Sequence, residues 1–495
     1  TSIGGSLTLN SDRSLMASQR TQLLYIADYG DWKSSGTDGV RGSANTKFDA
    51  ASISDWTTLS ISTTDDVLVL SSMSTSAGTA GVYTITTVAS GELTVSPAPY
   101  TATGSTCTWR IERGPKKYTH STNAMALWIA TTGYGFVPVG CPIVCIYRDR
   151  MVLAGGADAP HLFYLSRQSD PLDWDYSAED VGRAIAGSAT QAGIVGEPIT
   201  ALIPHADQCM VIGHIASLWL MDGDPASGGQ IVNLSRTIGV VDKRAWCHVP
   251  ANTGDEGLIA FLSQDGLYLI PAGCSKSAPV SLSREKLPEE LRDIDRNLIE
   301  VSMSFDMRDR GIHIFLTKID SGNTTHWWYD WSTKGFFPTS LTTAHEPHFS
   351  YEYVSGCSED SCVLLGGRDG KIRRYHSLHS QDDGANAITS YVDIGPFLLG
   401  ERGGWGQGCA AEMQGELSRD SASVTAAVRV GQTPEDAYNA SAQYSATWSA
   451  AGLQNVFHPR CTGQAGILRL TNGTTLPWGM ERVLMRVQPQ GRNSR

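Results

Sequence analysis

Short hairpin-like units recur along the middle of the chain, and this recurrence constrains the fold more than any other feature. The clearest unit is LIAFLSQDGLYLI, in which two β-prone runs flank Asp265-Gly266, a dipeptide that tolerates the positive φ angles of a tight turn. A unit of three or four strands repeated about every 50 residues is typical of a β-propeller, whose blades cover one another's exposed faces. The leading strands of five such units begin near Met151, Met210, Leu258, Ile312 and Cys362.

Each of the five units is predicted to contain a turn rich in glycine or aspartate. A sixth blade could be completed by strands around Trp128 to Pro142 or by the N-terminal arm. The segment from Ser283 to Leu298 is the one predicted helix, because its leucines and Ile294 recur at helical spacing. The predicted turns are Gly155-Gly156, Gly213-His214, Asp265-Gly266, Ser321-Gly322 and Asp369-Gly370.

The chain divides by pattern into four regions, all of them β. Residues 1–60 are predicted to form a strand and an extended arm, and residues 61–115 a small antiparallel β-barrel or sandwich. Residues 116–387 carry the repeats of the propeller. Residues 388–495 show alternating strands separated by Ser/Gly loops, which predicts a C-terminal β-sandwich. The fold class is therefore all-β: a β-propeller with an inserted small β-barrel and a C-terminal β-sandwich.

The charge balance argues against a surface that binds nucleic acid. The 495 residues carry a formal net charge of −12, whereas a nucleic-acid-binding face is normally basic. An acidic wall still permits DNA to pass close by, because it repels phosphate and prevents adhesion. No window approaches the length of an apolar transmembrane span, so no membrane span is predicted.

The cysteines and histidines are predicted to be structural. The ten cysteines are scattered and several lie inside apolar runs, which is typical of small buried side chains in a protein made in a reducing cytosol. A zinc site was the alternative, since two His-x-x-His pairs flank two cysteines, but the usual ligand spacing is absent. We therefore expect no metal and no cofactor. The residues considered for zinc are His345, His348, His376, His379, Cys357 and Cys362.

Glycosidase chemistry is the main catalytic alternative, because it needs two carboxylates that face one another across a sugar. Asp170, Asp173 and Asp175 form the most suggestive cluster, with Trp174 as a possible stacking platform. The turn motifs of sialidase-like propellers are absent, and aspartates in this pattern more often cap turns. We expect no enzyme activity and assign no catalytic residue.

The run Trp327-Trp328-Tyr329-Asp330-Trp331 has two interpretations. Such a dense aromatic run could form a sugar-binding or interface patch. Alternation within a strand would instead bury Trp327, Tyr329 and Trp331 on one face of a blade, and we favour this interpretation because period-two aromatics suit a packed strand.

Two segments, residues 147–174 and 223–249, together with FLSQDGLYLI, resemble bacteriophage tail proteins. The likeness is greatest to the propeller-bearing nozzle (tail tubular) proteins of short-tailed phages and the related packaged-DNA stabilisation proteins. It covers about residues 120–400, and the small barrel also looks like an insertion found in such proteins. The matching elements are the Arg148-Asp149-Arg150 strand, the Ser166…Asp170-Pro171 turn, Trp174, Gly223-Asp224-Pro225, Ile238-Gly239, Trp246 and Asp265-Gly266.

The resemblance implies a structural protein of the virion, made in the host cytoplasm. It implies a homohexamer around the tail axis, attached below the portal and adaptor proteins and next to tail fibres or spikes. Genomic DNA would be retained by this ring and would pass through it during ejection without sequence-specific binding. The alternative is a receptor-binding or glycan-degrading tail protein. The basic end of the chain could also dock an acidic partner through Arg482, Arg486, Arg492 and Arg495.

Overall fold

The structure is a computed structural model, and it confirms an all-β chain with a propeller, an inserted barrel and a C-terminal sandwich. The chain separates into two compact units, residues 1–375 and 376–495, which we describe one at a time. The structure describes residues 8–10, 14–30, 32–189, 196–250, 257–273, 275–283, 286–292, 294–322, 325–357, 360–375, 387–400, 407–449 and 451–489.

Six sheets of the first unit form the blades of the propeller, and antiparallel pairing orders the strands within each sheet. Blade 1 contains β1 (Met16–Arg20), β2 (Leu23–Ala27), β9 (Lys116–Thr119) and β10 (Ala124–Leu127). Blade 2 contains β11 (Ile143–Tyr147), β12 (Arg150–Ala154), β13 (Leu162–Leu165) and β14 (Ile185–Ser188). Blade 3 contains β15 (Ile199–Ala206), β16 (Cys209–His214), β17 (Leu218–Asp222) and β18 (Gln230–Ser235).

The last three blades follow without interruption. Blade 4 contains β19 (Trp246–Val249), β20 (Leu258–Ser263), β21 (Gly266–Ile270) and β22 (Val280–Ser281). Blade 5 contains β23 (Ile299–Asp306), β24 (Gly311–Lys318), β25 (His326–Asp330) and β26 (Phe336–Thr339). Blade 6 has three strands in the part of the chain that is described, β27 (Pro347–Tyr353), β28 (Cys362–Gly367) and β29 (Ile372–Tyr375).

The sixth blade of the prediction is supplied by the N-terminal arm. The strands β1 and β2 pair with β9 and β10, so one sheet joins segments about 90 residues apart. The segment from Trp128 to Pro142, the other candidate, contributes no strand to that sheet. The five strands taken as leading are the second strands of their blades, because β11, β15, β19, β23 and β27 each precede one of them.

The turns of the blades explain why some glycines were misassigned. In blade 4 Ser263 pairs with Gly266, so the two-residue turn is Gln264-Asp265, one residue earlier than predicted. Gly213-His214 is not a turn but the end of β16. A Cβ on Gly213 would lie 2.7 Å from Val240 Cγ2, so this glycine permits close packing between segments. The predicted turns at Ser321-Gly322 and Asp369-Gly370 do connect strands.

The inserted domain is a closed barrel of six strands with its own aromatic core. Phe48, Trp56 and Trp109 contact one another inside it, with ring centroids 5.2–5.6 Å apart. The barrel begins well before residue 61, because the glycine-rich segment predicted as an arm forms its first two strands. Its strands are β3 (Ser34–Arg41), β4 (Lys47–Ala50), β5 (Asp66–Ser71), β6 (Gly81–Val88), β7 (Leu93–Ser96) and β8 (Thr106–Arg113).

A buried ionic cluster joins the barrel to blade 1. Asp28, which follows β2, accepts hydrogen bonds from Arg113 at 3.2 Å and from Lys116. Lys116 also lies 3.5 Å from Asp65, the residue before β5. The Asp28 and Lys116 side chains are fully buried, so each charge requires the other in order to remain inside. The cluster therefore links the chain segment that enters the barrel, at Asp28, to the segment that leaves it, at Arg113 and Lys116.

The predicted helix from Ser283 to Leu298 is wrong. The described part of this segment contains only a single 3-10 turn, Glu289–Leu291. Pro288 has ψ 146° and lies outside the turn, and a proline disfavours helical geometry at the residue before it. Leu287, Leu291 and Ile294 are nevertheless buried against the core that spans blades 3 to 5. The spacing of the apolar residues therefore reflects which side chains are buried, and it does not indicate a helix.

The second unit is a sandwich of two sheets around an apolar core that includes Met413 and Trp448. The first sheet contains, in order, β30 (Ser390–Leu398), β36 (Ala465–Asn472), β32 (Val424–Gly431) and β33 (Tyr444–Trp448). The second contains β34 (Gly452–Leu453), β31 (Gly408–Leu417), β35 (Cys461–Gly463) and β37 (Met480–Pro489). The one α-helix of the described residues, α1 (Pro434–Asn439), lies here and was not predicted.

The helix α1 had a readable signal in the sequence. Thr433 accepts a hydrogen bond from Asp436 N–H, and the Asp436 carboxylate accepts one from Thr433 N–H. This reciprocal pair is a capping box, and Pro434 occupies the first turn, where proline is tolerated. The short Thr-Pro-Glu-Asp motif therefore specifies the helix start.

The cysteines largely follow the prediction, with one correction. Among the described residues eight cysteines are free thiols, and six of these are buried: Cys107, Cys141, Cys145, Cys247, Cys409 and Cys461. Cys209 on β16 is disulfide-bonded, which the expectation of a uniformly reduced set did not include. No helix among the described residues has the length and apolar character needed to cross a membrane.

Candidate functional site

The aspartates considered for glycosidase chemistry each cap a local turn. Asp170 accepts a hydrogen bond from Leu172 N–H at 2.9 Å, and Asp173 accepts one from Asp175 N–H at 3.0 Å. Asp175 in turn accepts from the Ser177 hydroxyl and N–H, and these bonds hold the pKa of its carboxyl below its usual value. Each bond reaches two residues onward, as in an Asx turn. These carboxylates are therefore used within the loop.

Trp174 is not available as a stacking platform. Its side chain is fully buried, and its ring lies 5.8 Å from that of Trp128. The indole N–H groups of Trp174 and Trp128 both donate to the Pro171 carbonyl at 2.9 Å. The Asp-Pro turn thus joins two tryptophans in the core between blades 1 and 2.

The residues weighed as zinc ligands do not assemble in the described structure. His348 Nδ1 lies 2.8 Å from a Glu300 carboxylate oxygen, whereas Cys357 is exposed in the loop after β27. No group of three or more His, Cys, Asp or Glu side chains with metal-binding geometry occurs among the described residues. His376 and His379 lie outside those residues.

The aromatic run of blade 5 divides between two faces as the packing interpretation predicts. Tyr329 is fully buried, and Trp327 and Trp331 pack against the same apolar core. Trp328 points to the other side, where its ring lies 4.5 Å from His313. Alternate residues of the run therefore pack on opposite sides of blade 5.

Three of the elements that carry the phage-tail resemblance meet at a buried ion pair between blades 2 and 3. Arg150 Nη2 and Nε donate to the Asp224 carboxylate at 2.9 and 3.1 Å. Arg150 Nη1 also donates to the Ser166 carbonyl at 2.9 Å. The two charged side chains are 1% and 6% exposed. Three separate pieces of the resemblance thus meet in one structural contact.

The turns next to this ion pair have structural roles. Arg148-Asp149, expected to be part of a strand, forms the two-residue turn of the β11–β12 hairpin, with φ angles of 49° and 59°. Asp224 also caps the 3-10 turn Pro225–Ser227 by accepting from Ala226 N–H at 2.9 Å. The GDPASGG loop is therefore a turn that presents a carboxylate to Arg150.

Two basic residues just before blade 4 contact the N-terminal segment that precedes blade 1. Lys243 and Arg244 donate to the carbonyls of Ser14 and Leu15 respectively. The Arg244 guanidinium also lies 5.3 Å from the centre of the Phe349 ring in blade 6. Burial lowers the pKa of Arg244, although Glu300 and Asp242 oppose that effect. These contacts therefore join the segment before blade 4 to the segment before blade 1 and to blade 6.

The seam between blades 5 and 6 combines polar contacts with a small apolar cluster. Ser350 N–H donates to Ser302 Oγ at 2.8 Å, and Thr317 Oγ1 donates to the Pro347 carbonyl at 2.8 Å. His313 of blade 5 lies edge-on to Tyr375 of blade 6, with ring centroids 4.4 Å apart. Its buried apolar part consists of Phe315, Val363 and Leu365.

A cavity of about 420 Å³ opens at one end of this seam. It lies where β23, β27 and β28 begin or end, and its lining includes Asp306, Glu352 and Val363. Burial acts to raise the pKa of Asp306, but the nearby His313 imidazole and hydrogen bonds from two backbone N–H groups bring it below its usual value. Burial and the nearby Asp306 charge raise the pKa of Glu352.

A buried histidine completes the seam. His326 accepts a hydrogen bond from Leu316 N–H at 3.1 Å through Nδ1, and its ring packs edge-on against Phe315. Burial lowers its pKa to about 4. Sequence reasoning assigned no role to His313, His326, Asp306 or Glu352. Alternate polar residues on the inner strands, such as Ser302, Ser304 and Asp306, were the available signal.

The basic residues near the C-terminus are partly engaged within their own domain. Arg482 lies 2.6 Å from Glu416 and Arg486 lies 3.3 Å from Glu412, both across the β31–β37 pairing. These exposed pairs neutralise the charge that was considered for docking an acidic partner. Arg492 and Arg495 lie outside the described residues.

Comparisons with known proteins identify no family. No protein-family model matches the chain, and no curated protein matches it. Among solved structures, the N-terminal domain of Nup159 is similar at 13% identity and TM-score 0.30, over 51% of this chain and 65% of that one. Hsv2 of Kluyvelomyces marxianus is similar at 11% identity and TM-score 0.25, over 52% of this chain and 85% of that one.

A structure described as a glycoside hydrolase is also similar. It has 8% identity and a TM-score of 0.19, over 96% of this chain and 97% of that one. With TM-scores this low, none of these three similarities carries an argument about function.

Proposed function

We propose that this chain is a structural protein of a bacteriophage tail, one of six copies that form a nozzle around the tail channel. The ring would retain packaged DNA and let it pass during ejection. The observation that carries the proposal is the meeting of Arg150, Ser166 and Asp224, since these residues also carry the resemblance to nozzle proteins. These residues join blades 2 and 3, so the resemblance concerns residues that stabilise the fold.

The proposed path of DNA follows the axis of the six-copy ring and not the axis of a single propeller. Within a single propeller, Lys243 and Arg244 bind the segment that precedes blade 1, through the carbonyls of Ser14 and Leu15. A net charge of −12 suits a channel wall that releases DNA, because phosphate and carboxylate repel each other. A channel lined with arginine in the assembled tail would contradict this part of the proposal.

The architecture supports assembly by side-by-side packing. The sandwich ends in long edge strands, and β30 exposes large apolar side chains such as Val392 and Leu398. Exposed apolar strand edges pair readily with other chains, so natural proteins usually cover them. Portal-side adaptor proteins, neighbouring copies and tail fibres or spikes are the partners that the proposal names.

The competing function is a receptor-binding or glycan-degrading tail protein. Its best sequence candidates, Asp170 to Asp175, are used as turn caps, and Trp174 is buried. We therefore include the absence of enzyme activity in the proposal. Turnover in a panel of glycans by the wild-type chain, lost in Asp173→Asn, would favour the competitor.

Imaging separates the two functions directly. Negative-stain electron microscopy of phage particles that carry this chain, labelled with an antibody raised against it, should show a sixfold ring on the tail axis. Peripheral trimers bearing the label would instead identify a spike and overturn the proposal.

A further inference from the structure

The cavity between blades 5 and 6 has the dimensions of a binding site. Its volume of about 420 Å³ falls within the range of ligand pockets. The end of β23, the end of β27 and the start of β28 surround it, so rigid strands from two blades shape its walls. It lies apart from the Arg150–Asp224 contact between blades 2 and 3.

Two carboxylates line the cavity, and they differ in their hydrogen bonds: Asp306 accepts hydrogen bonds from described residues of the protein, whereas Glu352 does not. Asp306 accepts from Arg308 N–H at 2.8 Å and from Asp309 N–H at 3.2 Å, and it lies 3.7 Å from His313 Nε2. The Glu352 carboxyl makes no hydrogen bond or ion pair with any described residue. Glu352 is half-buried, and a cation beside its carboxylate would offset the cost of that partial loss of water.

The rim of the cavity is apolar and exposed. Met307, Tyr353 and Val354 are 57%, 45% and 74% exposed, and all three line the opening. Single exposed apolar residues are ordinary, but a group of them around one cavity marks a contact surface. Arg308 also lines the cavity and is exposed, so two carboxylates and one guanidinium leave the site with a negative formal charge.

We propose that this cavity receives a lysine or arginine side chain from a partner protein, with the cationic group against Glu352 and Asp306. The methylene stem of such a side chain would lie along Met307 and Val354, as amphipathic cations do on apolar surfaces. The Tyr353 ring would add a cation–π contact. The net charge of −12 favours the approach of a basic partner. This inference does not depend on the proposed tail function.

Two peptides that differ only in charge test the proposal. The probes are fluorescein-labelled Gly-Leu-Arg-Leu-Gly and the same peptide with citrulline, the neutral isostere of arginine, and binding to the full chain is measured by fluorescence anisotropy. We expect the arginine peptide to bind at least tenfold more tightly than the citrulline peptide. Equal affinities, or no binding of the arginine peptide, would overturn the proposal.

Variants locate the binding. Glu352→Gln keeps the shape of the side chain and removes its charge, and it should weaken the arginine peptide at least tenfold. Met307→Ser should weaken both peptides by a few-fold, since it removes only the apolar wall. Glu290→Gln, an exposed carboxylate outside the cavity, is the matched control and should change nothing.

The remaining outcomes also decide the matter. Circular dichroism spectra that superimpose for all variants exclude misfolding as the cause of any loss. Unchanged affinity in Glu352→Gln would contradict the site. Self-association of the wild-type chain that Glu352→Gln abolishes would assign the cavity to a second copy of this chain and overturn a heterologous partner.

Discussion

Two seams of the propeller differ in how their blades pack together. Blades 3, 4 and 5 pack through apolar side chains, whereas blades 5 and 6 pack largely through polar contacts. The first is a continuous apolar core that includes Ile203, Phe261 and Ile314. The second relies on Ser302, Thr317, His313 and His326, with three buried apolar residues. The same strand β23 borders both, because alternate side chains point to opposite faces.

This difference predicts how each seam responds to change. Apolar burial is non-directional and insensitive to pH, whereas polar contacts depend on geometry and on protonation. The polar seam also contains the cavity, so its atoms are less densely packed there. We therefore expect the blade 5–6 seam to be the place where the propeller opens first and where a partner can bind.

Truncation of matched leucines gives the largest expected contrast. Leu262 is fully buried in the apolar core, and Leu365 is 4% exposed in the polar seam. Leu262→Ala should lower the free energy of unfolding by about 4 kcal/mol, and Leu365→Ala by about 2 kcal/mol, because surroundings beside a cavity relax more easily. Urea unfolding of the two variants measures both costs. Equal costs would remove the distinction between the seams.

An ion pair inside an otherwise apolar seam is the second test. Arg150→Met leaves Asp224 buried without its cation, which should cost about 3 kcal/mol. The control is Arg20→Met, which breaks the partly exposed pair with Asp149 and should cost less than about 1 kcal/mol. Thermal unfolding at neutral pH compares them. Similar losses in the two variants would show that burial of the Arg150 pair is unimportant.

Acid should weaken the polar seam through His326. Its imidazole binds a proton near pH 6.5 when unfolded, but its folded pKa is about 4. Protonation therefore favours the unfolded state. The stability contributed by neutral His326 is complete above pH 6.5 and is lost as the pH falls toward 4. The loss should reach about 3 kcal/mol by pH 4.

Hydrogen exchange between pH 7 and pH 4 measures this loss in each seam. Intrinsic exchange rates are corrected at every pH, and amides of β28 should lose protection before those of β20. The His326→Gln variant should show a shallower pH dependence, while His120→Gln, at an exposed histidine, should behave as wild type. An unchanged slope in His326→Gln would exclude this histidine as the source of acid sensitivity.

Local patterns in the sequence predicted much of the fold but little of the polar seam. Hairpins at about 50-residue intervals indicated blades, since each turn and its flanking strands are contiguous in the chain. The helix over Ser283 to Leu298 failed because apolar spacing reports burial, and Pro288 overrode the spacing. The capping motif at Thr433 was readable and was missed.

The sequence by itself determined the all-β class, the repetition of blades and the structural use of the Asp170–Asp175 turns, because these depend on residues close together in the chain. Only the tertiary structure decided that β1 and β2 complete a blade with β9 and β10, that Arg150 meets Asp224, and that Asp306 and Glu352 share a cavity. Each of these pairings joins segments dozens of residues apart. Such contacts depend on how blades close around one another, and no local periodicity encodes that closure.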